Sequence, residues 1–74
     1  MLHRVPMVRM SSSSISAAGY DDHRQALRLR YVSGGMYDYF DVPASVFQKL
    51  LDAPSKGQFV NWRVKPCYRY IRLN

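Results

Sequence analysis

Residues 26–40 read ALRLRYVSGGMYDYF, and this stretch decides the fold. Before the central glycines, leucines alternate with arginines, which is the period-two pattern of a half-buried strand. After the glycines, tyrosines alternate with other residues in the same way. Ser33-Gly34-Gly35 has the composition of a turn. The stretch therefore predicts a β-hairpin with strands over 26–32 and 36–40.

The length of the turn sets the register, and the register decides which face the tyrosines use. A three-residue loop over 33–35, with Gly35 in the left-handed conformation, is a common hairpin solution. A two-residue loop would instead place Tyr37 and Tyr39 beside the arginines. We favour the first register because it pairs opposite charges, keeps aromatics with aliphatics and makes the tyrosine pair mainly structural. It predicts three cross-strand pairs: Arg30 with Asp38 on the outer face, Tyr31 with Tyr37, and Leu29 with Tyr39.

The segments on either side of the hairpin extend the sheet and add a helix. Residues 15–20 predict a strand, which Asp21-Asp22 ends in a turn. After Pro43, an apolar stripe at helical spacing predicts one amphipathic helix, and Pro54 closes it. The stripe consists of Val46, Phe47, Leu50 and Leu51.

A second, shorter helix is predicted over 56–64. Ser55-x-x-Gln58 has the spacing of a capping box, and the helix would bury Phe59 and Trp62, with Val60 and Val64 adding to its apolar surface. Residues 68–73 are rich in β-forming residues and predict a last strand at the sheet edge. The fold class is therefore α+β, with a small antiparallel sheet or meander packed with one amphipathic helix and a second short helix, and closed by a C-terminal edge strand.

The chain of 74 residues makes one domain at most. Residues 1–11 are predicted to be a flexible arm, with a short extended piece over 7–10, and residues 12–74 the domain itself. Cys67 is the one cysteine, so no internal disulfide is possible, as expected in a reducing compartment. No secretory signal is visible and no apolar run could span a bilayer, so we expect a cytoplasmic protein without membrane contact.

Positive charge is concentrated in the last third of the chain. The net charge is +6, and residues 53–74 carry five cations and no acid. Such a segment attracts polyanions, although the same charges also keep small proteins in solution. His3, His23 and Cys67 have no metal-ligand spacing and no catalytic pattern around them. We therefore expect a binding protein rather than an enzyme, with no metal and no cofactor.

Two constellations in the basic segment are candidate anion sites. Ser55, Lys56 and Gly57 lie at a predicted helix N-terminus, where free N–H groups and a lysine favour phosphate. The alternative is a capped helix with a solvent-facing lysine. The tail interleaves cations with aromatics, which suits phosphate contacts and base stacking, or else its aromatics pack inward and its charges face water. The predicted nucleic-acid-binding residues are Lys56, Arg63, Lys65, Tyr68, Arg69 and Arg72.

Several short runs resemble the KTSC domain family. They are Ser12-Ser13-Ser14-Ile15, Gly19-Tyr20-Asp21, Tyr37-Asp38-Tyr39-Phe40, Val42-Pro43, Ala53-Pro54-Ser55-Lys56-Gly57 and Tyr68-Arg69-Tyr70, and their order and spacing cover about residues 12–73. The family is named for its place at the C-terminus of some lysyl-tRNA synthetases and also includes stand-alone small bacterial proteins. The resemblance implies that the Tyr37 and Tyr39 pair and the Ser-Lys-Gly turn matter, and it suggests RNA as a partner.

Two functions from different classes remain open at this point. The first is a small basic module that binds RNA without sequence preference through phosphate contacts. The alternative is a protein-interaction module that uses an exposed sheet edge or aromatic surface. A contiguous positive face containing Lys56, Arg63, Lys65 and Arg72 would favour the first, and a large exposed apolar patch the second. In either case we expect a monomer.

Overall fold

A computed structural model describes residues 5–74 of the chain. Over these residues the backbone forms five strands and two helical segments, and the strands make one antiparallel sheet in chain order. This is the α+β arrangement that the sequence predicts. The elements are β1 (Met7–Arg9), β2 (Ile15–Asp21), β3 (Ala26–Tyr31), β4 (Met36–Tyr39), α1 (Ala44–Asp52), α2 (Lys56–Phe59), a π-helical turn (Val60–Val64) that continues α2, and β5 (Tyr70–Arg72).

The hairpin of β3 and β4 has the predicted faces but a different register. Its three-residue loop covers 32–34, and Gly34 takes the positive φ of 107° that the sequence analysis assigned to Gly35. Moving the loop by one residue shifts every cross-strand partner by two, so each side chain stays on its predicted face. The observed pairs are Leu27 with Tyr39, Arg28 with Asp38, Leu29 with Tyr37, and Arg30 with Met36.

The register correction changes the environment of Asp38. The predicted partner was Arg30 in an exposed pair, but Asp38 is only 1% exposed and Arg28 Nε donates to its Oδ1 at 2.8 Å. Arg28 Nη2 reaches Oδ2 at 3.0 Å, and Arg24 Nη1 approaches the same oxygen at 3.3 Å. Two guanidinium groups thus surround one buried carboxylate. The attraction between opposite charges is stronger in the low dielectric of the protein interior than in water. The observed register is the one that makes this cluster possible.

One face of the sheet packs against the helices and holds the core. Leu27 and Leu29 of β3 share one buried cluster with Leu50 of α1, and Val46 and Phe47 pack against this cluster, as the helical stripe predicts. Tyr20 of β2 stacks on Phe47. The buried core consists of Ile15, Ala18, Leu27, Leu29, Tyr39, Val42, Leu50, Val60 and Val64.

The second helix buries only part of the apolar surface predicted for it. Val60 and Val64 are buried one helical turn apart, whereas Trp62 is 69% exposed. Because Trp62 lies midway between the two valines, it must point to the opposite side of the helix. The prediction that Trp62 is buried was therefore wrong, and Phe59 is only partly buried.

The N-terminal segment joins the sheet from residue 7 onward. β1 pairs antiparallel with β2, so that Met7 lies opposite Gly19 and Arg9 opposite Ala17. Val5 is buried as well. Most of the segment predicted to be a flexible arm is thus placed against the domain, and residues 1–4 of that arm lie outside the described residues.

Candidate functional site

Four tyrosines cluster on the face of the sheet that holds the core, and their exposure ranges from the buried Tyr39 to the exposed Tyr70. Tyr31 continues the alternation of β3, Tyr37 and Tyr39 come from β4, and Tyr70 comes from β5 opposite Tyr39. Neighbouring rings have centroids 5.5–6.4 Å apart and mostly tilted or edge-on geometry. Such ring geometry is favourable, so the cluster is a stable aromatic surface.

This aromatic surface forms one wall of an open cleft of about 650 Å³, here called the tyrosine cleft. Its volume is within the range of natural ligand sites. The helix end and the edge strand supply the remaining wall. The lining residues are Tyr31, Ser33, Gly35, Tyr37, Tyr39, Lys65, Tyr70 and Arg72.

Two tyrosine hydroxyls meet inside the cluster. The oxygens of Tyr31 and Tyr39 are 2.8 Å apart, and either can donate the shared hydrogen. Burial raises the pKa of Tyr31 far above its ordinary value, and the hydrogen bond with Tyr39 adds to the rise. Burial also raises the pKa of Tyr39. Both hydroxyls are therefore neutral throughout the physiological range, and the cluster contributes no negative charge that would repel an anion.

Two cations stand over the tyrosine rings. Lys65 Nζ lies 5.3 Å from the centroid of Tyr31, and Arg72 Cζ lies 5.7 Å from that of Tyr37. Within residues 5–74, neither cation forms an ion pair and no acidic side chain lines the cleft. Their charge is therefore available to a ligand, which makes the tyrosine cleft both aromatic and positive.

The π-helical turn positions Lys65. Its closing bond runs from Lys65 N to Val60 O at 2.9 Å, five residues back. A π-helical turn contains one residue more than an α-helical turn, so the residues that follow it are rotated about the helix axis. This rotation helps to direct Lys65 toward Tyr31. Turns of this type often lie at functional sites.

The six predicted nucleic-acid-binding residues have different surroundings in the structure. Lys65 and Arg72 lie together in the tyrosine cleft. Tyr68 packs partly buried against the core, and Arg69 pairs with Asp41 at 3.2 Å on the surface. Arg63 lies beside Trp62 at a second, mostly apolar cleft. Of the predicted cations, Lys65 and Arg72 are thus the two that line the tyrosine cleft.

The sixth residue, Lys56, is engaged with the backbone. Ser55 Oγ accepts from Gln58 N at 3.3 Å, which is the predicted helix cap. Lys56 Nζ donates to Leu51 O at 2.8 Å and Ala53 O at 2.6 Å, and so satisfies carbonyls at the end of α1. The alternative of a solvent-facing lysine is wrong, because the ammonium group is bound to backbone carbonyls.

Close packing explains why residue 57 is a glycine. A Cβ atom there would stand 2.9 Å from Ser14 Oγ, so the turn between the helices packs closely on the serine run. The Ser55, Lys56 and Gly57 constellation thus joins α1, α2 and residues 11–14. Its geometry is explained by the fold without a bound anion.

Tyr31 and Tyr70 line the cleft but are not among the six predicted binding residues. Tyr70 is 57% exposed, whereas Tyr68, the tyrosine chosen from the sequence, is partly buried. The signal for Tyr70 was present, because Tyr70 and Arg72 alternate and must share a face of the last strand. What the sequence did not show is that this face meets the hairpin tyrosines.

Residues 5–74 contain neither a metal-binding cluster nor a membrane-spanning helix. No group of three or more histidine, cysteine or acidic side chains is placed to hold a metal ion. No helix in the same part of the chain has the length and apolar content needed to cross a bilayer.

The chain is similar to known proteins over most of its length. The family model described as KTSC domain matches residues 11–70. A small protein of Tsukamurella paurometabola is 49% identical over 67 residues, which cover 90% of this chain and all of the relative. A lysine–tRNA ligase of Nostoc sp. is 38% identical over 69 residues, but these cover only 12% of the ligase. The crystal structure of a KTSC domain protein from Yersinia pestis superposes with a TM-score of 0.92 at 28% identity, and the match covers 96% of this chain and 100% of that one.

Proposed function

This chain belongs to the KTSC domain family, and we propose that it is a small basic module that binds single-stranded RNA in the tyrosine cleft without strong sequence preference. The observation that carries the proposal is the pair of ion-pair-free cations, Lys65 and Arg72, over a tyrosine cluster whose Tyr70 ring is exposed. The proposed site is therefore the tyrosine cleft, which is smaller than the patch of six residues predicted from the sequence.

The cleft offers the two interactions that unpaired nucleic acid requires. Lys65 and Arg72 can neutralise phosphates, and each such contact releases counterions. Tyr70 is the most exposed ring of the cleft and can stack on a base, which any base permits because each has a π-face. A duplex keeps its bases stacked inside, so these rings favour a single strand. In this site the two cations provide affinity for the RNA backbone, and stacking on the tyrosine accepts any base.

Similarity to a lysine–tRNA ligase of Nostoc sp. gives indirect support for RNA binding. A region making up 12% of that ligase is 38% identical to this chain. An RNA-binding role would be chemically consistent with attachment to an enzyme named for its action on tRNA. Because a shared fold does not establish a shared function, the cleft itself remains the main argument.

Fluorescence anisotropy with a short labelled single-stranded RNA across a salt series tests the proposal. With two phosphate contacts, the logarithm of the affinity should fall with that of salt at a slope of about −1.4. The Lys65→Glu/Arg72→Glu variant should lose most of the affinity and flatten the slope. Arg63→Glu/Arg69→Glu changes the net charge equally outside the cleft and serves as the matched control.

Two results would overturn the proposal. Wild-type protein that fails to bind at low salt would exclude it, because electrostatic attraction is strongest there. Equal loss in the cleft and control variants would show that only net charge matters and that the tyrosine cleft is not the site.

A protein-interaction module is the second candidate, and exposed Trp62 favours it. Trp62 is 69% exposed and lines a mostly apolar cleft with Pro54, Phe59 and Arg63. Tryptophan and arginine are enriched at the energetic centres of protein interfaces. Pull-down from lysate with and without nuclease separates the two functions. Partners that survive nuclease and depend on Trp62 would favour this candidate.

A further inference from the structure

β5 leaves one edge of the sheet open, and the hydrogen-bond pattern shows which groups face it. Leu73 N donates to Met36 O at 2.7 Å, and Phe40 N donates to Arg69 O at 2.9 Å. Antiparallel pairs alternate between hydrogen-bonded and non-hydrogen-bonded positions. The backbone N–H and C=O groups of Arg69 and Leu73 therefore point toward β4. Because the direction alternates along a strand, those of Ile71 also point toward β4. The N–H and C=O groups of Tyr70 and Arg72 therefore point away from the sheet.

We propose that this edge is a self-association surface, occupied by β5 of a second copy of the chain in antiparallel pairing centred on Ile71. In that register Tyr70 lies opposite Arg72 of the second copy, and Arg72 lies opposite its Tyr70. These are the two residues with outward groups, so the pairing forms four backbone hydrogen bonds. The register thus follows from the hydrogen-bond phase of β4 and β5 rather than from side-chain preference.

The side chains of β5 complement each other in the same register. Tyr70 and Arg72 share one face, so each guanidinium meets the ring of the other copy in a cation–π contact. Ile71, which is 50% exposed, meets its symmetry mate on the other face. The opposite edge lacks this match, because pairing centred on Val8 of β1 would place Met7 against Arg9. A second copy is therefore favoured at β5 over β1.

The predicted association is weak and strengthens with salt. A three-residue strand buries little area, which corresponds to a dissociation constant on the order of 0.1–1 mM. The two copies of Arg72 lie within about 10 Å of each other, a distance at which 0.1 M salt begins to screen their repulsion. RNA binding should show the opposite salt dependence. The two proposals can therefore fail independently.

Sedimentation equilibrium from about 20 µM to about 2 mM protein, at low and high salt, tests the inference. Wild-type protein should show a monomer–dimer equilibrium that shifts toward dimer as salt rises. Ile71→Lys should weaken dimerisation at least tenfold. Val8→Lys is the matched control, because Val8 is also half-exposed in the middle of a three-residue edge strand.

Thermal melting of Ile71→Lys and Val8→Lys checks that both variants fold. Ile71→Thr is a milder variant, because it keeps a β-branched side chain in the strand. A wild-type protein that is monomeric at the highest concentration would overturn the proposal. Equal weakening by Ile71→Lys and Val8→Lys would also overturn it, because the interface would then not be specific to β5. Dimerisation that disappears at high salt would contradict the predicted repulsion between the arginines.

Discussion

Replacement of Arg28 by alanine tests the hairpin register and the buried charge cluster together. Arg28 makes two hydrogen bonds to Asp38, at 2.8 and 3.0 Å, and Asp38 is almost completely buried. Removing one partner of a buried ion pair costs about 3–5 kcal/mol, because the other charge is left uncompensated. Here Arg24 remains 3.3 Å from Asp38, and the Arg28 side chain is 20% exposed. We therefore expect a loss of about 2–3 kcal/mol for Arg28→Ala.

Arg30→Ala is the matched control, since Arg30 lies two residues along the same strand and on the same face. Its side chain is exposed, so its removal should change stability by no more than about 0.5 kcal/mol. The assay is urea unfolding followed by circular dichroism. In thermal melts, the Arg28→Ala loss corresponds to a fall in Tm of roughly 8–24 °C.

The comparison also discriminates between the two registers. A larger loss for Arg30→Ala than for Arg28→Ala would place Arg30 opposite Asp38 and refute the observed pairing. Equal, small losses would show that Asp38 is not held by a buried pair. Arg28→Lys, which keeps the charge but not the two-pronged geometry, should fall between the wild type and Arg28→Ala.

Three further predictions follow from particular contacts. Lys56→Ala should lower the free energy of unfolding by about 1–2 kcal/mol through loss of two carbonyl contacts, and Lys56→Met, which keeps the aliphatic stem, should recover only the packing part. Gly34→Ala should cost about 1–2 kcal/mol in urea unfolding because of its φ of 107°, and a neutral result would contradict the loop over 32–34. Tyr31 ionises with a raised pKa when folded, so stability should be constant below the unfolded pKa of about 10 and fall as pH rises above it. Tyr31→Phe should reduce that fall, and an unchanged alkaline profile would show that Tyr31 ionises normally.

Much of the fold was predictable because it depends on local periodicity. Alternation in residues 26–40 predicted both strands and the face of each side chain, and Ser55-x-x-Gln58 predicted the helix cap. The register was not predictable, because either Gly34 or Gly35 can adopt a positive φ. Arg24, which lies in the turn before β3, adds a second cation to Asp38, and the alternation in residues 26–40 does not indicate this contact.

The site depended on tertiary contacts that local patterns do not encode. Trp62 was expected inside because it is large and apolar, but Val60 and Val64 occupy the buried side of the helix. Lys56 was expected to bind anions, but the end of α1 is close enough to accept its hydrogen bonds. Lys65 reaches the tyrosines through a π-helical turn, for which the sequence has no recognised signal.

The most direct test of the tyrosine cleft is a nitrogen-15 NMR titration of the protein with a single-stranded oligouridylate of about eight nucleotides, a length typical of single-strand sites. At low salt, amide shifts should concentrate at Tyr37, Lys65, Tyr70 and Arg72, and a duplex RNA of equal length should produce much smaller changes. Salt should reverse the shifts. Changes centred on Trp62 and Arg63, or no change at low salt, would contradict binding in the cleft.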